Sequence, residues 1–246
     1  MKITFIHHSS FCVEIEDMIF IFDYFPGDKM PGYHFKGMLP TFKPDQKIVV
    51  FSSHQHGDHF DMEIFKWSEK YKNIQYVLSH DIKISDNYLR KNGIDISVRE
   101  KIHFMKPNTE LTLEETKIET LLSTDDGVAF LVTYGETTLF HAGDLHWWHW
   151  EGEGETFKAY QEKTYKWQIE KIAKRNIEVA FVVLDGRLKD QTFWGIDYFM
   201  KNTKAKHVIP MHLWQDYALI SAYKGQAETF AERIVEVERE NQVFSF

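Results

Sequence analysis

The stretch that decides the fold is Lys47-Ile48-Val49-Val50-Phe51-Ser52-Ser53-His54-Gln55-His56-Gly57-Asp58-His59. An apolar run of strand length leads directly into an H-x-H-x-D-H cluster, so four potential metal ligands follow a predicted buried strand. Imidazoles and a carboxylate on an irregular loop can point into one cavity. This donor set suits zinc, iron or manganese, whereas calcium prefers oxygen ligands only. The alternative is a polar loop with solvated histidines, but the ordered spacing favours a metal site.

The bulk composition limits the classes of protein to which the chain can belong. With 246 residues the chain can bury a large core, and one α/β domain over residues 1–246 is preferred to two small domains. A net charge of −8 argues against nucleic acid as a partner, because binding to phosphates needs a positive surface. No segment has the roughly twenty apolar residues of a membrane span, and the N-terminus lacks a secretory pattern. Cys12 is the single cysteine, so we expect a cytoplasmic protein. The expected partner is a small-molecule substrate, and no membrane partner is expected.

The order of predicted elements indicates the fold class. The predicted strands are residues 2–6, 11–15, 18–23, 47–51, 75–79, 102–105, 110–113, 117–122, 128–134, 137–142, 179–184 and 207–210. The predicted helices are residues 61–71, 82–91, 155–175, 193–202 and 227–240. Residues 26–46 are rich in proline and glycine and are expected to form a long loop. Strand blocks followed by alternating helices and strands predict two mixed sheets packed together with helices outside.

Further candidate ligands stand at the ends of other predicted strands. His141-Ala142-Gly143-Asp144 ends one strand, and Gly143 lets the backbone approach a metal while Asp144 is placed to bridge two cations. His212 follows the short strand at 207–210. Asp23 ends the strand at 18–23, where a carboxylate can orient a ligand imidazole.

In this order and spacing the residues resemble the metallo-β-lactamase-fold hydrolases. The matching features are Asp23 at a strand end, the cluster at 54–59, the Gly-Asp carboxylate of Asp144 and the final His212. His8-Ser9-Ser10-Phe11 and Pro210-Met211-His212 look more like the lactonase and phosphodiesterase-type bacterial branch. The resemblance implies an α/β (α+β) fold, a four-layer αβ/βα sandwich with two mixed sheets and a dinuclear site along one edge. It also implies one metal held by His54 and His56, a second held by Asp58, His59 and His212, and Asp144 between them.

One expected ligand of this family is missing. Its members usually have a histidine between the strands at 117–122 and 128–134, where this chain has Ser123-Thr124-Asp125-Asp126-Gly127. We predict that Asp125, rather than Asp126, replaces the imidazole as an oxygen ligand, which favours a harder metal such as iron or manganese. The alternative is an ordinary turn, since Ser, Asp and Gly are turn formers. In that case the protein would work with a single ion at the other site.

Four residues are predicted to contact substrate: His8, His146, Arg187 and Trp214. Structural packing is the alternative for His8, because a lone histidine carries little information. His146 belongs to the tryptophan-rich segment 145–151, whose indoles could wall a pocket or pack against the helix that follows. Arg187 could bind a substrate carboxylate or phosphate as a bidentate fork, or pair with Asp185 or Asp190. Trp214 could line the pocket or only pack.

The predicted chemistry follows from the ligand set. We expect one or two divalent transition-metal ions, zinc first and iron or manganese as alternatives. A metal-bound hydroxide would attack a small ester, lactone or phosphodiester, with Asp58 and Asp144 as the catalytic carboxylates that hold it and accept its proton. Two alternatives remain, an iron-dependent redox enzyme on the same fold and a non-catalytic metal-binding protein with a degraded first site.

Overall fold

The apolar runs at the start of the chain form a seven-stranded sheet in the computed structural model, which describes residues 1–246. The chain separates into two compact units, and this sheet belongs to the first, Met1–Lys106 with Arg239–Phe246. Its strands are β1 (Lys2–His7), β2 (Ser10–Ile15), β3 (Met18–Phe22), β4 (Lys47–Ser52), β5 (Ile74–Ser79), β6 (Ile102–Met105) and β13 (Gln242–Ser245). They lie in the order β13-β1-β2-β3-β4-β5-β6, antiparallel from β13 to β3 and parallel from β3 to β6.

The parallel half of this sheet fixes where the H-x-H-x-D-H loop lies. β3 and β4 pair in parallel with Phe22 opposite Phe51, so their carboxyl ends lie side by side. All of β3 and nearly all of β4 are buried, as expected for parallel strands covered on both faces. Asp23 directly follows β3, and the loop at 54–59 follows β4. The chain therefore delivers a buried carboxylate and the histidine cluster to the same edge of one sheet.

The helices of the first unit are shorter than the sequence predicts. The helix expected at 61–71 is α1 (Glu63–Lys66) followed by a 3-10 turn at Trp67–Glu69, and a second 3-10 turn spans Ile96–Lys101. The helix expected at 82–91 is α2 (Asp86–Lys91). It begins late because the Ser85 hydroxyl caps it, accepting a hydrogen bond from the backbone N–H of Tyr88 at 3.1 Å. Residues 26–46 contain no helix or strand, as predicted.

The second unit, Pro107–Glu238, holds a six-stranded sheet and the longer helices. The strands are β7 (Glu110–Leu113), β8 (Thr116–Leu122), β9 (Val128–Tyr134), β10 (Thr137–His141), β11 (Val179–Val183) and β12 (His207–Met211). The helices are α3 (Glu155–Ile172), α4 (Trp194–Asn202) and α5 (Ala218–Gln226), and two 3-10 turns span Gly186–Gln191 and Glu228–Arg233. The strand order is β12-β11-β10-β9-β8-β7, parallel from β12 to β10 and antiparallel from β10 to β7.

The parallel strands of this second sheet again bring polar residues to one edge. β10, β11 and β12 are neighbours, so their carboxyl ends lie together. Asp144 follows β10, Asp185 follows β11 and His212 follows β12. The β11 strand itself is entirely buried and apolar. Each unit therefore carries acids and histidines at the carboxyl ends of its parallel strands.

The prediction of a helix at 227–240 is wrong. The segment forms only the 3-10 turn at Glu228–Arg233, and the predicted range misses α5 before it and β13 after it. Long-range contacts decide this region: Arg233 donates to backbone carbonyls of three residues that precede β12, and the backbone N–H of Val235 donates to Val208 at 2.9 Å. These tertiary bonds override the local helical pattern.

Two mixed sheets with helices, one sheet in each unit, confirm the predicted α/β fold class. That residues 1–246 form a single domain stays a prediction. None of the helices combines the length and the hydropathy that crossing a lipid bilayer requires.

Candidate metal centre

The histidines of the loop after β4 face one another. The ring centroids of His54 and His56 are 4.7 Å apart, and those of His54 and His59 are 4.1 Å apart. His54 and His59 are fully buried, whereas His56 is exposed. The loop is closed by its own backbone, since the N–H groups of His59 and Phe60 both donate to the carbonyl of His56 at 3.0 Å. This tight turn gathers three imidazoles in the space of six residues.

Asp23 fixes the orientation of one of these rings. Its carboxylate is fully buried and accepts a hydrogen bond from His59 Nδ1 at 2.7 Å. Ser53 also donates to it, from the backbone N–H at 2.7 Å and from the hydroxyl at 2.6 Å. Asp23 adopts a left-handed backbone (φ 46°), which non-glycine residues reach only at a cost. A histidine whose Nδ1–H is held by a carboxylate presents Nε2 as its ligating nitrogen, the arrangement predicted from the sequence.

His8 lies beside the carboxylate of the loop. His8, Asp58 and His59 offer ligand atoms that all lie within 4.8 Å of one another. The distance from His8 Nε2 to Asp58 Oδ2 is 3.3 Å, and that from His59 Nε2 to the same oxygen is 3.7 Å. His8 is 2% exposed and has a φ of 51°. Its ring is therefore held inside the unit and directed at Asp58, not at solvent.

In the second unit, Asp125 lies next to Asp144. Their carboxylate oxygens are within 4.8 Å of each other, and Asp126 does not belong to this group. Thr124 joins the two segments, since its hydroxyl donates to the carbonyl of His146 at 2.6 Å and accepts from the N–H of His146 at 2.8 Å. The segment 123–127 connects β8 to β9, and it places the Asp125 carboxylate near the proposed bridging residue. The role of Asp125 as a ligand stays a prediction.

His212 is held in the same manner as His59, by a carboxylate that the sequence analysis did not assign to it. Its Nδ1 donates to Asp185 at 2.9 Å, and its Nε2 lies 3.5 Å from Asp144 Oδ1. Asp185 is fully buried. Burial by itself would raise the pKa of the Asp185 carboxyl, but hydrogen bonds from His212 and Arg187 outweigh it and hold the pKa well below its usual value. The sequence did contain a signal for this role of Asp185, because Asp185 follows an apolar strand just as Asp23 does.

Arg187 pairs with Asp185, one of the two structural partners expected from the sequence. Its Nε lies 3.0 Å from both carboxylate oxygens and its terminal nitrogen donates at 2.6 Å. The guanidinium carbon lies 5.4 Å from the ring of Trp150 and 4.6 Å from that of Trp214, so two indoles flank it. A small cavity of about 230 Å³ adjoins this group; it is lined by Thr124, Asp125, Asp126, Asp144, Trp148, Trp150, Phe157, Gln161 and Arg187.

His146 does not line that cavity. Its side chain is fully buried, with its ring centroid 4.9 Å from Trp148 and 5.9 Å from Tyr165. A Cβ added at Gly195 would come within 2.2 Å of the imidazole, so that glycine provides the space for it. Burial lowers the pKa of His146 to about 4. The ring is an interior group, and its predicted contact with substrate stays a prediction.

The first unit has a larger cavity of about 820 Å³ next to the H-x-H-x-D-H loop. Gln55 and Phe60, which follow His54 and His59 in the chain, form one side of it. The remaining lining residues are Asp61, Met62, His80, Ile82, Lys83, Ile84, Ser85, Tyr88 and Phe104. Tyr88 and Phe104 are each 46% exposed, which gives this cavity an apolar rim.

The donor chemistry fits divalent transition metals. Each unit brings imidazole nitrogens and carboxylate oxygens close together, with some of the imidazoles held by buried acids. Mixed nitrogen and oxygen ligands of this kind suit zinc, iron and manganese. Ligating histidines that donate their other N–H to a carboxylate are the usual arrangement in metalloproteins.

Comparison with known proteins identifies the family. A sequence profile of the beta-lactamase superfamily domain matches residues 2–158. No curated protein is detectably similar in sequence. Among solved structures, Igni18, a metallo hydrolase from the hyperthermophilic archaeon Ignicoccus hospitalis KIN4/I, has 17% identity and a TM-score of 0.65, and the match covers 100% of this chain and 98% of that chain.

Two further structures have the same fold. The metallo-β-lactamase fold protein YhfI from Bacillus subtilis has 13% identity and a TM-score of 0.56, with 99% of this chain and 98% of that chain covered. CmlA, a diiron β-hydroxylase from Streptomyces venezuelae, has 11% identity and a TM-score of 0.62, with 100% of this chain and 54% of that chain covered. The fold, the H-x-H-x-D-H loop and the profile match agree, and the chain belongs to the beta-lactamase superfamily, as a metal-dependent hydrolase of the metallo-β-lactamase fold.

Proposed function

We propose that the protein hydrolyses a small ester, lactone or phosphodiester, with one or two divalent ions held by residues at the carboxyl ends of its parallel strands. The proposed ligands are His54, His56, Asp58, His59, Asp125, Asp144 and His212. The observation that carries the proposal is the loop after β4, where three histidines converge and the buried Asp23 carboxylate orients one of them. Zinc is the proposed metal, since the donor set contains more imidazoles than carboxylates.

The chain's own residues supply proton transfer and orientation. A bound divalent ion lowers the pKa of a water molecule and polarises a carbonyl or phosphoryl oxygen. Asp58 is the proposed proton acceptor in the first unit, and His8, 3.3 Å from it, is placed to pass that proton on. Asp144 has the corresponding role in the second unit, where the His212 ring lies 3.5 Å away.

The cavities support a substrate with an apolar part. Phe60, Met62, Ile82, Tyr88 and Phe104 give the larger cavity a mainly carbon surface. Aromatic rings also line the smaller cavity beside Asp144. Such surfaces suit the acyl or ring carbons of an ester or lactone better than a polyanionic chain. Among the three substrate classes, an ester or lactone is therefore our first candidate.

The test combines metal analysis with hydrolysis assays. The purified protein should carry one or two equivalents of a transition metal and hydrolyse members of a panel of esters, lactones and phosphodiesters. His59→Ala and Asp144→Ala should abolish turnover while the circular dichroism spectrum is preserved. His103→Ala is the matched control, because the His103 side chain hydrogen-bonds Gln75 at 3.0 Å on β5 and is not a proposed ligand, so its loss should not affect turnover. Turnover retained in both site variants would disprove the proposal.

An iron-dependent redox enzyme is the second candidate. The proximity of the Asp125 and Asp144 carboxylates favours it, because oxygen donors raise the preference for iron or manganese over zinc. The fold is also that of CmlA, which is a diiron β-hydroxylase. Elemental analysis together with the ultraviolet-visible spectrum separates the two candidates. Zinc with no visible absorption supports the hydrolase, whereas two iron equivalents with a visible band support the redox enzyme.

A further inference from the structure

We propose that Asp185 is a positioning residue of the metal site, which holds His212 in the tautomer and orientation needed for ligation. This inference rests on the proposed function in taking His212 as a ligand. Asp185 does not line the cavity beside Asp144, and we infer that it acts through His212.

Three residues donate hydrogen bonds to the Asp185 carboxylate. Its Oδ2 accepts from His212 Nδ1 at 2.9 Å and from Trp214 Nε1 at 3.3 Å. Arg187 donates to the same carboxylate from its backbone N–H at 2.9 Å and from its guanidinium. A fully buried carboxylate that accepts this many hydrogen bonds has no freedom to rotate. It is therefore a fixed anchor for the His212 ring.

This anchor sets the histidine tautomer. A carboxylate can only accept, so the hydrogen bond at 2.9 Å places the proton on His212 Nδ1. In the neutral ring the lone pair then lies on Nε2, the nitrogen 3.5 Å from the Asp144 carboxylate. Without Asp185 the proton could move to Nε2, and the ring could no longer ligate from that atom.

The backbone around His212 needs such an anchor. His212, Trp214 and Gln215 all adopt left-handed conformations, with φ values of 63°, 51° and 66°. Non-glycine residues in this region are strained and persist only where surrounding contacts over-determine them. Two of the three residues, His212 and Trp214, donate directly to Asp185. Asp185 therefore holds the strained turn as well as the ring.

Arg187 makes the burial of Asp185 tolerable. Its guanidinium forms a bidentate pair with the carboxylate and lies between the indoles of Trp150 and Trp214. The pair is electrically neutral, and its bidentate geometry offsets part of the cost of burying the charge. A merely structural ion pair would give the same contacts, so the two roles differ in what they predict for His212. A structural pair affects stability alone, whereas a positioning residue also affects metal affinity and the tautomer.

The variant that separates these roles is Asp185→Asn, which keeps the shape and removes the charge. We expect its zinc affinity, measured by chelator competition, to be about 10- to 100-fold weaker than that of the wild type. Nitrogen-15 chemical shifts of the metal-free protein should show His212 protonated at Nδ1 in the wild type and a mixture of tautomers in the variant. Asp190→Asn, on the same turn but exposed, is the matched control and should match the wild type in both readouts.

If Asp185→Asn does not fold, Arg187→Leu provides the second test. This variant removes the guanidinium that holds the Asp185 carboxylate but leaves His212 unchanged. It should weaken zinc binding to a smaller degree than Asp185→Asn. Wild-type affinity and an unchanged tautomer in the folded variant would overturn the inference while leaving the proposed hydrolase intact. Weaker zinc binding in a protein whose wild type shows no hydrolysis would support the inference and count against the proposed function.

Discussion

Two buried carboxylates, Asp23 and Asp185, each accept a hydrogen bond from the ring of a proposed metal ligand. Each follows an apolar parallel strand, and each accepts from the Nδ1 of a histidine, at 2.7 Å for His59 and 2.9 Å for His212. Burying a carboxylate is costly unless hydrogen bonds replace its hydration. Both acids meet that condition, so they can be rigid supports without being accessible to substrate.

Removing the Asp23 carboxylate should destabilise the protein and weaken metal binding together. Asp23→Ala leaves the buried Ser53 N–H and the His59 Nδ1–H without their acceptor, and we expect a loss of about 3 kcal/mol in the free energy of unfolding. Urea denaturation of the metal-free protein measures this loss. The exposed Asp45→Asn is the control and should change stability by less than about 0.5 kcal/mol. A stability of Asp23→Ala equal to that of the wild type would contradict this account.

His7 should make the stability of the metal-free protein depend on pH. Burial lowers the pKa of His7 to about 4 in the folded protein, whereas the unfolded value is about 6.5. Below pH 6.5 the unfolded chain binds the proton more readily, so stability is complete above that pH and falls as the pH drops towards 4. The loss attributable to His7 is about 3 kcal/mol. In urea titrations between pH 7 and pH 4.5, His7→Gln should show a shallower decline than the wild type; parallel curves would refute this assignment.

At the site, the sequence indicated the proposed ligands and Asp23, but not the part played by Asp185. The H-x-H-x-D-H spacing and the strand-end positions of Asp144 and His212 could be read directly from the chain. The part played by Asp185 could not, because its pairing with His212 joins residues 27 positions apart through the register of two parallel strands. The interior position of His146 was missed for a similar reason, since the glycine that makes room for it belongs to α4.

At the scale of elements, strands were predictable because their apolar runs are short and bounded by turn residues. All twelve predicted strands are present, and no bound shifts by more than one residue. The C-terminal segment failed because tertiary contacts decide it. Arg233 donates to the carbonyls of Ala205, Met200 and Thr203, and β13 pairs with β1 across the length of the chain. Neither contact can be predicted from a local sequence pattern.

Arg233 should stabilise the end of α4. Its three side-chain nitrogens bind carbonyls at and beyond the last turn of that helix, at 2.8 to 3.1 Å, where helices leave acceptors unpaired. We expect Arg233→Ala to cost about 2–3 kcal/mol and Arg233→Lys to recover only part of it, because an ammonium cannot match the planar fork. Thermal unfolding measures both. Lys201→Ala removes only an exposed pair on the same helix and should cost about 0.5 kcal/mol or less. An equal cost for the two alanine variants would rule out the capping role.

At the scale of the whole molecule, metal binding should raise the stability of the folded protein and therefore its Tm. Ions that bind the folded chain but not the unfolded one stabilise it by about 4 kcal/mol when their free concentration is 1000 times Kd. The chain also carries a net charge of −8, and the buried Asp144 is one of the proposed carboxylate ligands. Removing metal with a chelator should therefore lower Tm, and adding zinc should restore it in a concentration-dependent way. In the double variant His59→Ala/Asp144→Ala, zinc should leave Tm unchanged, because a proposed imidazole ligand and the proposed bridging carboxylate are both gone. If the Tm of the wild type changes with neither chelator nor zinc, these residues hold no ion.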